Sequence, residues 1–121
     1  MNTIVWITQG LLAFVFLAHG LLFLFPPATL RKIKKQVPFP AGFMQFIYIA
    51  EVLAALGLTL PGLTGVLSPL TPLAAAGLVP IMGGAVILHL SRREIPPSVV
   101  TAILLAFAVF VAYARWFVNP L

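Results

Sequence analysis

At 121 residues and 13.0 kDa the chain is one domain, and 62% hydrophobic against 7% charged residues excludes an ordinary soluble fold. A soluble fold of this size could not hide so much apolar surface, so the consistent solvent is lipid. The net charge of +5 rests on seven basic residues, six of them in two short clusters between apolar runs, which is a topology signal rather than a nucleic-acid face. No cysteine is present, which excludes disulfides, thiol chemistry and Cys-ligated metals.

The first apolar run, residues 3–25, is long enough to cross a hydrocarbon core of about 30 Å at 1.5 Å per residue. Its start carries no basic side chain and it is too long for a signal-peptide core, so a retained helix is expected. Pro26-Pro27 ends it. Arg31, Lys32, Lys34 and Lys35 then mark a short polar connection with an interfacial turn.

A second span over 41–60 should stop at Pro61-Gly62, and an uncharged connection follows. The third, 72–90, carries Pro80 and Gly83-Gly84, the signature of a kink. Ser91, Arg92, Arg93 and Glu94 form the next polar link. Pro96-Pro97 suits the first turn of a fourth span over 96–117.

Four spans joined by short links predict an all-α transmembrane bundle with up-down-up-down topology, a single domain over 1–121. Both basic links fall on one side. The positive-inside rule makes links 26–40 and 91–95 cytoplasmic and puts both termini outside, with Arg115 snorkelling beside Trp116. Small residues at Ala50, Ala54, Gly57, Ala74 to Gly77, Ala102 and Ala106 would let helices approach closely.

The run MQFIYIAEVLAALGLTL, residues 44–60, carries one carboxylate, Glu51, near mid-membrane. An ionisable group there is expensive and is by default a functional-site hypothesis. Gln45, Tyr48 and Glu51 follow at three-residue spacing along a slanted stripe. His19 lies within about one turn of the same depth on an adjacent antiparallel helix, so a His19–Glu51 hydrogen bond is geometrically open. A desolvated carboxyl favours its neutral form unless a cation pairs with it. Either form could exchange a proton or hydrogen-bond a carbonyl ligand such as a quinone. The bland alternative is interhelical glue worth about 0.6 kcal/mol.

His89 sits beside Arg92, Arg93 and Glu94, an interfacial cap. Two histidines and two acids make no recognised metal-ligand spacing, and no nucleotide loop or nucleophile motif occurs.

EVLAALGLTLPGLTG at 51–65 and LTPLAAAGLVPIMGGAVILHLSRRE at 70–94 resemble the DoxX-like family of small four-helix membrane proteins, over about half the chain. The resemblance implies a four-span bundle and association with membrane redox systems. The family's namesake is similar to a subunit of an archaeal thiosulfate:quinone oxidoreductase, and distant relatives look like assembly chaperones. Glu51 and His89 match the family's pattern; His19 is not part of the resemblance.

The expected function is therefore a non-enzymatic accessory or assembly subunit of a larger membrane complex. Its partners would be the bilayer and another membrane protein or further copies of the chain. The alternative is a redox component that binds quinone in a polar pocket around Glu51, with no other cofactor implied.

Overall fold

The structure, a computed structural model, describes residues 2–36, 38–118 and 120. It is all-helical: α1 Asn2–Leu24, α2 Ala28–Lys35, α3 Ala41–Thr64, α4 Leu70–Ser91 and α5 Ile95–Tyr113, the last continuing as a π-helical turn, Ala114–Val118. Four segments are long and apolar enough to cross a membrane: Asn2–Leu24, Ala41–Thr64, Leu70–Ser91 and Ile95–Val118. These match the four expected spans to within a few residues. The fifth helix is new: the basic link is an amphipathic eight-residue helix that buries none of its side chains.

Helices α1, α3, α4 and α5 pack in sequence, and α5 returns to α1. The registers alternate in direction. Gln9 near the start of α1 meets Leu58 late in α3, while His19 late in α1 meets Glu51 earlier in α3. Arg115 beyond α5 returns to Asn2 and Gln9 at the start of α1. Leu12 and Phe16, Ala55 and Leu58, Ala75, Leu78 and Met82, and Ala108 and Val111 form the shared core. Most other large apolar side chains point outward, as they must where the surroundings are hydrocarbon.

The largest departure from expectation is at Pro61, where α3 does not stop. It runs on to Thr64 and ends at Gly65, whose positive φ of 73° lets its N–H close on the Pro61 carbonyl at 2.9 Å. Proline inside a helix withholds an N–H from the carbonyl four residues earlier, here Gly57. That carbonyl is instead taken by the Thr71 hydroxyl of α4 at 2.9 Å. The neighbouring Leu58 carbonyl receives the Gln9 side-chain amide of α1 at 2.7 Å. Two other helices thus supply the polar partners that make the proline tolerable in lipid.

Close approach accompanies this. A Cβ on Gly57 would sit 2.9 Å from the Ala74 Cβ, so the two small residues are what bring α3 against α4. Ala102 and Ala106, by contrast, lie on an exposed face of α5 and mediate no such contact. Helix α4 runs unbroken through Pro80.

The pairing of Thr71 with the proline-freed carbonyl predicts a specific double-mutant cycle. Thr71→Val should lower unfolding stability in detergent by about 1 kcal/mol, because it leaves Gly57 without its partner. In a Pro61→Ala background, where residue 61 regains an N–H, the same change should cost close to nothing. Equal costs in both backgrounds would show that Thr71 does not serve the proline.

Candidate functional site

Glu51 is ten residues into α3, about 15 Å along its axis, and only 2% exposed. Its Oε2 lies 2.7 Å from Nδ1 of His19 on α1. The contact is made possible by the next residue. Gly20 packs so tightly on α3 that a Cβ there would come within 2.7 Å of Val52 Cγ2 and 2.9 Å of the Tyr48 carbonyl. The close backbone approach at Gly20 brings the imidazole within reach of the carboxyl.

The two partners are in unlike surroundings: the Glu51 side chain is 3% exposed and that of His19 47%. The carboxyl is therefore sealed inside the bundle, while the imidazole spans from it to the outer surface of the helices. Only one proton is needed for the bond. Either a neutral carboxyl donates to Nδ1, or Nδ1–H donates to the carboxylate. Interconversion of the two forms would carry a proton between the buried and exposed sides of the pair.

Aromatic rings frame the imidazole. Its centroid is 4.6 Å from Phe23 and 6.1 Å from Tyr48, and Phe23 stacks on Tyr48 at 5.3 Å. Lys34 of α2 places Nζ 5.5 Å from the Tyr48 ring centroid, so the amphipathic helix lies over the end of this cluster nearest the basic link. Three of the four expected site residues, His19, Tyr48 and Glu51, are brought together. Gln45 is not: it lies on the exposed face of α3. Steps of three residues drift backward, and over six residues the offset is about 120°, enough to turn Gln45 away.

A second polar cluster joins the start of α1 to the end of α5. Arg115 is 2% exposed and Gln9 fully buried. The Arg115 Nε donates to the Gln9 side-chain carbonyl, Nη1 donates to Asn2 Oδ1 at 2.8 Å, and the guanidinium lies 5.4 Å from the Trp6 ring centroid. The expected outward snorkelling of Arg115 is thus reversed, while the adjoining Trp116 faces outward. Arg115 follows the buried Ala108 and Val111 by seven and four residues, so helical periodicity carries it onto the face of α5 that looks into the bundle. The signal for this cluster was present: Gln9 is an amide within an otherwise apolar span, as conspicuous as Glu51.

The interfacial residues divide. Arg31 bonds the Pro26 carbonyl at 3.3 Å, Lys32 and Lys35 are exposed, and Lys34 is half-buried over Tyr48. His89 closes the α4–α5 turn, its Nδ1 2.8 Å from Glu94 Oε1, with Arg92 Nε 3.9 Å from the same oxygen. Arg93 takes a left-handed φ of 57° there, and the Glu94 N–H bonds the His89 carbonyl. Among the described residues no group of three or more His, Cys, Asp or Glu could hold a metal ion.

The molecule is therefore a small multi-pass integral membrane protein whose bundle encloses a carboxyl bonded to a half-exposed imidazole. It belongs to the DoxX-like family, whose model matches residues 7–111 and so takes in the first and fourth spans as well as the central pair. No curated protein and no solved structure matches the chain.

The α4–α5 turn should respond to acid. The hydrogen bond from His89 holds the Glu94 carboxyl below its usual range; desolvation opposes this, and the charges of Arg92 and His89 reinforce it. A depressed carboxyl contributes stability above its unfolded pKa of about 4.3 that is lost as pH falls through the lower folded value. The Tm difference in detergent between the protein and Glu94→Gln should accordingly be present at neutral pH and shrink as the pH falls through and below the ordinary carboxylate range. A difference that stays constant across that range would contradict the assignment.

Proposed function

We propose that this protein is a non-enzymatic accessory subunit of a membrane redox system that works through the His19–Glu51 pair. The pair is a reversible hydrogen-bonding site for a lipid-phase ligand bearing a carbonyl or hydroxyl, a quinone being the class that fits. The observation that carries the reading is the 2.7 Å bond between a sealed carboxyl and a half-exposed imidazole. A ligand arriving from the hydrocarbon meets the open face of His19, while Glu51 sets the proton on the other side of the ring. Phe23, partly exposed and backed by the buried Tyr48, supplies a flat apolar surface beside it, suited to a planar ring. The resemblance to the DoxX-like family, which implies association with membrane redox systems, supports this reading.

On this reading links 26–40 and 91–95 face the cytoplasm and both termini face outside, because six of the seven basic residues lie in those links. The end of the aromatic cluster that Lys34 covers is then the cytoplasmic end.

The test is binding of decylubiquinone to the full chain in nanodiscs, measured by equilibrium titration. Glu51→Gln keeps the side-chain size but cannot hold or release the proton, and His19→Leu removes the contact. Each should weaken binding about tenfold or more. Unchanged affinity in both variants would dismiss the site.

A further inference from the structure

A cavity of about 440 Å³ opens between α2 and the start of α3, lined by Arg31, Lys34, Lys35, Phe39, Ala41 and Met44. From these residues we infer that it is a binding site for the headgroup of an anionic phospholipid, separate from the His19–Glu51 pair. The three cations recur at i, i+3 and i+4, which places them on one face of α2, and that face turns toward α3. Phe39 and Met44 form the apolar part of the wall.

The charge arrangement asks for an anion. Like charges three and four residues apart destabilise a short helix, and α2 has only eight residues with which to resist that. No acidic side chain among the described residues offsets them: Glu51 and Glu94 are bonded to His19 and His89. Ala41 is the first residue of α3, so the positive end of that helix's dipole faces the same space. A phosphate bearing a glycerol and acyl chains matches both halves of the lining, its charge on Arg31, Lys34 and Lys35 and its first methylenes on Phe39 and Met44. A soluble phosphate would use only the first half. The position fits as well, since α2 directly follows a membrane span and carries Ile33 exposed on its other side.

The experiment is native mass spectrometry of the full chain in detergent, titrated with dioleoylphosphatidylglycerol or dioleoylphosphatidylcholine. The anionic lipid should be retained at least about tenfold more tightly, and each cation removed should cost about fivefold. Arg31→Gln/Lys34→Gln/Lys35→Gln should therefore reduce phosphatidylglycerol to the level of phosphatidylcholine. Arg92→Gln/Arg93→Gln, which alters the other basic link, should leave retention within about twofold. Circular-dichroism melts check that the variants fold; if the triple variant does not, Lys35→Gln alone should still show the fivefold loss. Equal retention of the two lipids, an unchanged triple or single variant, an equal loss in the Arg92/Arg93 control, or full displacement by millimolar inorganic phosphate would each overturn the proposal.

Discussion

The carbonyl of Gly57 is the constraint on which this bundle turns. Pro61 deprives it of its helical donor, and in hydrocarbon no water is at hand to replace that bond. Thr71 of α4 answers it directly, and Gln9 of α1 answers the adjoining Leu58 carbonyl. Gln9 in turn accepts from Arg115 beyond α5. All four spanning segments are therefore tied to one proline-broken turn of α3 by side-chain hydrogen bonds. Hydrophobic burial cannot do this work in a membrane, where lipid tails are as apolar as the side chains they would leave.

With one end of the bundle fixed by that network, α1 is held along α3 and meets it again at Gly20. There the backbones come close enough to exclude a side chain, and His19 reaches Glu51. The two polar regions differ in kind. The Gln9–Arg115 cluster is enclosed, with both central side chains buried, whereas the Glu51 carboxyl communicates with the surface through a half-exposed imidazole. That asymmetry is why the proposed function rests on the second cluster and not on the first. The amphipathic α2, laid across the end of the aromatic cluster with Lys34 over Tyr48, sits where the membrane span ends and charge resumes.

Much of this was legible in the sequence because hydropathy and prolines speak plainly over twenty residues. The spans, the basic links and the isolated carboxylate needed nothing more, and the depth match of His19 with Glu51 followed from rise per residue alone. The failures were geometric. Pro61 read as a stop because the rule assumes its lost bond cannot be replaced, whereas Thr71 and Gln9 come from elements far away in sequence. Gln45 read as a member of the stripe because three-residue spacing looks like one face over one step and drifts off it over two. Arg115 read as a snorkelling residue because its charge and its place beside Trp116 outweighed its register, which puts it on the same helical face as the buried Ala108 and Val111.

The central claim is that Glu51 controls the imidazole of His19, and nitrogen NMR reads it directly. With only two histidines in the chain, ¹⁵N-histidine labelling in bilayers gives two resolvable rings, assigned by a His89 substitution. The His19 Nδ1 signal should carry the shift of a strong hydrogen bond and move in Glu51→Gln, with the His89 signals unchanged. A His19 ring whose nitrogen shifts are the same with and without the Glu51 carboxyl would contradict it.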